Sequence, residues 1–284
     1  MERGFTAIAP DANDLLRRSK MVIKRLRELL LSLAILPMLV QPVLAHVIWI
    51  EKGDQEGELE VVYGHPELNE TQIYDSIKFQ EAKAYNRNGV IVPISVKREN
   101  DGVTLIPQED IAALTVIHDN GYFISTGNDE FRNVFRPEAL ESNTKQVEIT
   151  HTYKFAKAFY ERSGLVSQPF GLPLEIIPQQ DPFAVGPGGT LQIQVLFRGK
   201  PQQGVTVEYA GEALKTNENG IAFITLKQGE LLIVEASYDI TSTDDAATDK
   251  IGYATTLTVD KGGYSPNMQQ SGSGSPTYFW QHRP

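Results

Sequence analysis

From residue 46 onward the apolar residues come in short runs, and nearly every run is closed by glycine, proline, asparagine or aspartate. Runs of this length, with weak helical periodicity throughout, can bury a core only as β-strands. The clearest case is Val147, Ile149, His151, Tyr153 and Phe155, an every-second-residue stripe that predicts a half-buried strand. The chain is therefore expected to be all-β.

Strands are expected at Val47–Ile50 and Leu59–Tyr63, separated by the polar loop 53–57. Ile77–Tyr85 and Val90–Val96 flank Asn86-Arg87-Asn88-Gly89, a hairpin turn by composition. Val103–Ile106, Leu114–Ile117 and Tyr122–Ser125 follow, with His118-Asp119-Asn120-Gly121 read as a turn between the last two. Polar and turn residues collect at 161–169, which sets an expected boundary between a β-sandwich-like domain at 46–165 and an Ig-like β-sandwich at 166–260. The second domain is expected to use Leu172–Ile177, Thr190–Phe197, Val205–Tyr209, Ile221–Leu226, Leu231–Tyr238 and Tyr253–Val259. Residues 261–284 are rich in Gly, Ser, Pro and Gln and are expected to form a disordered tail.

Residues 1–45 have the make-up of a secretory signal peptide: basic Lys24, Arg25 and Arg27, an apolar stretch at 29–40, and a small-residue ending at Ala45. Met21 is the expected true start, because it gives a leader of ordinary length. The rival is an uncleaved anchor, since no charged residue occurs from Leu29 to Ile50, but Pro37, Gln41 and Pro42 interrupt that run. Cleavage makes His46 the first residue and leaves an exported, periplasmic or otherwise extracytoplasmic chain. The leader carries 7 basic and 4 acidic residues, so its loss takes the net charge from −10 to −13.

That acidity argues against nucleic acid as a partner. The absence of cysteine excludes disulfides, thiolate metal sites and a cysteine nucleophile. No G-x-S-x-G, H-E-x-x-H, phosphate-loop or Rossmann pattern occurs, so an enzyme is not expected.

The second half reads G-L-P-L-E-I-I-P at 171–178, D-P at 181–182, L-x-I-x-V-L-F-x-G-K-P at 191–201 and T-N-E-N-G at 216–220. This resembles the DUF4198 family of bacterial exported proteins. His46-Val47-Ile48-Trp49 resembles the family's opening A-H-x-x-W, and Gly64-His65-Pro66-Glu67 its G-H-x-E segment. The resemblance implies an extracytoplasmic component associated with nickel or cobalt uptake.

The candidate chemistry is histidine ligation of a divalent transition metal. A free α-amine on His46 and its imidazole Nδ1 can close a chelate ring on one ion. Imidazole suits nickel and cobalt, and also copper and zinc. His65 and Glu67 complete the candidate shell if the second strand pairs with the first, and His151 is a fourth candidate, either a ligand or a satisfied core histidine. His118 is read as turn chemistry, His282 as inert, Trp49 as core, and Lys154 and Lys157 as a solvated edge. Asp244, Asp245 and Asp249 offer a calcium alternative without an EF-hand pattern. The expected function is presentation of nickel or cobalt to a membrane transporter permease. The alternatives are an interaction or adhesion module without metal, and a copper oxygenase with an N-terminal histidine brace.

Overall fold

The computed structural model describes residues 46–125, 131–135, 148–243 and 248–266. The expected leader, most of the expected tail with His282, and Asp244 and Asp245 lie outside the described residues.

Strands dominate, and no α-helix occurs among the described residues. In chain order the strands begin with β1 (Val47–Lys52), β2 (Leu59–His65), β3 (Glu70–Thr71), β4 (Phe79–Tyr85), β5 (Ile91–Val92) and β6 (Ile94–Arg98). Next come β7 (Val103–Pro107), β8 (Ala113–Ser125), β9 (Phe131–Val134), β10 (Glu148–Phe159), β11 (Leu174–Pro178) and β12 (Thr190–Phe197). The last six are β13 (Lys200–Pro201), β14 (Thr206–Tyr209), β15 (Glu212–Lys215), β16 (Ile221–Thr225), β17 (Leu231–Thr241) and β18 (Lys250–Asp260).

They form three sheets. One runs β1-β2-β7-β6, with β3 beside β2; the largest runs β15-β14-β17-β18-β10-β8-β4-β5, with β9 beside β8; the third joins β11, β12, β13 and β16. The fold is an all-β sandwich, with the largest sheet as its middle layer.

Strand parity explains that middle layer. Neighbouring side chains on a strand face opposite ways. On β10, Phe155 and Phe159 enter a core shared with Leu174, Ile176, Leu191 and Ile193 of the third sheet. The intervening Ala156 and Ala158 enter a second core with Ile48, Ile50, Leu59 and Leu105 of the first sheet. β18 divides the same way: Leu257 and Val259 face the third sheet, while Thr256 Oγ1 donates to Ile48 O at 2.8 Å. Strands covered on both faces lose their polar alternation, and β18 is buried from Gly252 to Asp260.

The expected boundary at 161–169 falls in the irregular segment between β10 and β11. The segments on either side are not separate layers, however, because β18 pairs in parallel with β10 over ten residues, from Thr150↔Lys250 to Phe159↔Val259.

Three local expectations are corrected. His118–Gly121 is no turn between strands: β8 runs through it, paired with β10 on one side and with β4 and β9 on the other. Turn chemistry survives only as a local irregularity. Asp119 Oδ1 accepts from Gly121 N at 3.0 Å, Gly121 has φ +77°, and the register with β10 shifts opposite, between Thr152 and Tyr153. Val90–Val96 is two strands in two sheets, broken at Pro93, whose missing N–H favours the break. Lys154 and Lys157 are buried, not solvated, at 4% and 1% exposure. Lys157 Nζ bonds Glu175 Oε1 at 2.8 Å, and Glu175 also accepts the amides of Phe170, Gly171 and Leu172.

Candidate functional site

β1 and β2 pair antiparallel with Val47 opposite Gly64, so the next position along that register sets His46 opposite His65. Gly64 has φ +153°, and a Cβ there would lie 2.1 Å from the carbonyl oxygen of Glu70. Only glycine lets β3 come this close, where His65 pairs with Glu70. The chain then turns through a single 3₁₀ turn, Pro66–Leu68, which carries Glu67 back toward His65.

The result is a compact group of donors. The rings of His46 and His65 lie 4.3 Å apart, centroid to centroid. His46 stacks on Tyr63 at 5.1 Å with the planes 3° apart. Glu67 Oε1 is 3.6 Å from His65 Nδ1. His46 Nε2, His65 Nδ1 and both oxygens of Glu67 are buried without a hydrogen bond of good geometry, although Gln72 lies beside His46 and Glu235 beside Glu67. Such groups ordinarily find partners, so four together demand an explanation.

The electrostatics sharpen the picture. Burial lowers the pKa of the His46 imidazole, and the neighbouring His65 and Lys154 lower it further. Against these, Glu70 and a side-chain contact with Gln72 raise it, and the net lowering favours the neutral imidazole, the state that ligates a metal. Lys154 Nζ donates to the carbonyl oxygen of His46, and burial, aided by the charge of Lys78, brings its pKa down to about 7. Glu235 of β17 lies against Glu67; burial first, then Glu67 and Glu208, raise its pKa to about 9. The carboxyl of Glu208 is also raised, by burial and then by Glu67.

The sequence matches, over residues 43–240, the family described as Domain of unknown function (DUF4198). The chain belongs to the DUF4198 family. A relative from Haemophilus influenzae, described as an uncharacterized protein, is 28% identical over 219 residues, covering 76% of this chain and 90% of its own. No solved structure matches.

Both N-terminal segments that resemble DUF4198 meet in this cluster, one through His46 and the other through His65 and Glu67. The other candidate, His151, is not brought here. It shares a face of β10 with Tyr153 and Phe155, opposite to Lys154, and its Nε2 is 2.7 Å from Asp119 Oδ1. Tyr122 stacks on its ring at 4.1 Å. Asp249 caps a strand end by accepting the amide of Ile149 at 2.8 Å.

His118 is fully buried, on the opposite face of β8 from Asp119. It packs edge-on to Tyr74 at 5.2 Å and lies 6.1 Å from Tyr63, so Tyr63 separates it from His46. Burial, with the charges of Lys154 and Lys78, lowers its pKa to about 3. Trp49 is core, 1% exposed, as its apolar strand implies.

Glu235 and Lys154 were not legible as site residues. Each is a charge flanked by apolar residues within its strand, in Leu-Leu-Ile-Val-Glu-Ala and Tyr-Lys-Phe-Ala, and that is the signal that marks them.

Among the described residues, no three His, Cys, Asp or Glu side chains already converge as metal ligands. Holding an ion requires His46, His65 and Glu67 to swing toward one point. Their donors, two imidazoles and a carboxylate without sulfur, suit a divalent first-row cation.

Proposed function

We propose that this DUF4198 protein binds a divalent transition metal, nickel or cobalt by preference, as an exported protein that presents the ion to a membrane permease. The observation that carries the reading is the juxtaposition of His46 and His65, with their orphaned ring nitrogens and Glu67 beside them. A delivery protein needs a site that lets go, and a thiolate-free shell of histidine and carboxylate provides exchangeable bonds. Leader removal adds the amine of His46 as a further donor.

The pairing of His46 with a second histidine also favours the copper oxygenase reading. It suits that reading less well around the cluster, where the surroundings are carboxylates (Glu51, Glu208, Glu235) and Trp49 is inside the core. Copper with a reductant yielding an oxidised polymer would establish it.

The test is equilibrium dialysis of the chain beginning at His46 against nickel and cobalt. Binding should weaken in His46→Ala and when one residue is added ahead of His46. Equal binding in all three forms would remove the amine and the imidazole of His46 from the site.

A further inference from the structure

Glu67 faces two ways. On one side its carboxylate approaches His65; on the other it lines a cleft of about 330 Å³ between the 3₁₀ turn, β14 and β17. Glu208 and Glu235 line the same cleft with Glu51; Lys227 also lines it, its Nζ 3.0 Å from Glu212 Oε1. Four carboxyl groups around one cleft need protons, hydrogen bonds or a cation to offset their repulsion: Glu51 accepts from Trp49 Nε1 at 2.6 Å, and a cation can take the place of the proton held between Glu67 and Glu235. The Glu67 side chain is 9% exposed and neither oxygen has a hydrogen bond of good geometry. It is thus a buried acceptor facing an acidic opening, with only the carboxyl of Glu235 and the imidazole of His65 beside it. Glu235, 8% exposed, projects from β17 on the face opposite Val234 and Ala236, toward β1 and the 3₁₀ turn.

We propose that Glu235 is a further metal ligand, and that the cleft lined by Glu51 and Glu208 is the path by which a hydrated divalent cation reaches it. This rests on the metal-binding reading above and extends it. The site then has an imidazole side on β1 and β2 and a carboxylate side formed by Glu67 and Glu235. Two imidazoles and two carboxylates define the cargo as a borderline divalent ion, not monovalent copper, which prefers sulfur. Because Glu235 comes from the second half of the chain, an occupied site also ties β17 to the first sheet.

The experiment is calorimetric titration of nickel into the chain beginning at His46, alongside Glu235→Gln, His65→Ala and Glu208→Gln. Glutamine keeps the shape of Glu235, and a thermal melt of each metal-free variant confirms that it is folded. The visible spectrum of the cobalt-loaded forms reports ligand replacement independently of affinity. Glu235→Gln should weaken nickel binding at least about tenfold and alter the cobalt spectrum, while Glu208→Gln slows uptake with a smaller change in affinity. If His65→Ala loses nickel but Glu235→Gln binds as the parent does with an unchanged cobalt spectrum, the metal reading stands and Glu235 is not a ligand. If the parent itself takes up no nickel or cobalt, both fall.

Discussion

The imidazole of His46 and the phenol of Tyr63 are stacked 5.1 Å apart and parallel to within 3°, across a strand pair that also sets His65 beside them. An antiparallel register fixed by apolar residues further along, Ile48, Ile50, Leu59 and Val61, thereby brings two histidines 19 positions apart in sequence into contact. The core sets the register, and the register brings the candidate ligands together.

Gly64→Ala should damage fold and site together. Its φ of +153° and the 2.1 Å approach to the Glu70 carbonyl leave no room for a methyl group. A loss of about 2–3 kcal/mol is expected in denaturant unfolding, with weaker nickel binding because His65 shifts with β3. A variant as stable as the parent would contradict the close approach.

The buried ion pair of Lys157 and Glu175 should respond unequally to its two halves. Glu175→Leu strands Lys157 and three backbone amides and should cost about 3–5 kcal/mol. Lys157→Met leaves Glu175 with its amide donors and should cost less. Chemical unfolding of the two variants decides, and equal losses would count against this description of the pair.

His118 should give the fold an acid-sensitive component. Its folded-state pKa, about 3, lies below the ordinary histidine value, so the unfolded chain takes up the proton first. Stability is lost as pH falls from about 6.5 toward 3, by roughly 3 kcal/mol at pH 4. His118→Leu removes this component, so its stability advantage over the parent should grow as pH falls through that window. A pH-independent difference between the two would show that His118 is not buried as the neutral form.

His151→Ala should leave metal affinity unchanged. His151 and Asp119 bond each other at 2.7 Å on a face away from His46, so the substitution acts on stability, by about 1–3 kcal/mol, read from a thermal melt. A loss of nickel affinity as large as that of His65→Ala would place His151 back among the ligands.

Much of the fold was legible because turn chemistry and apolar runs agree locally. Asn86 and Asn217 close their turns as their sequences imply, each side-chain oxygen accepting two backbone amides. Thr190–Phe197 is β12 to the residue. The middle layer was not legible, because a parallel pairing between β10 and β18 joins residues about a hundred positions apart and leaves no local trace. The same gap hid part of the candidate site. His46, His65 and Glu67 sit on adjacent strands and could be grouped from sequence, whereas Lys154 and Glu235 arrive from β10 and β17 through the sheet order. The turn expected at His118–Gly121 failed because β10 pairs with β8 along its whole length and β9 takes up the other edge from Tyr122 onward, holding β8 extended past its glycine.

His46, His65 and Glu67 are expected to gather one divalent ion, which calorimetric titration of nickel into the chain beginning at His46 measures. One ion per chain is expected, with affinity falling at least about tenfold in His65→Ala while the fold melts as before. Heat no greater than dilution, or a His65→Ala variant that binds like its parent, would contradict it.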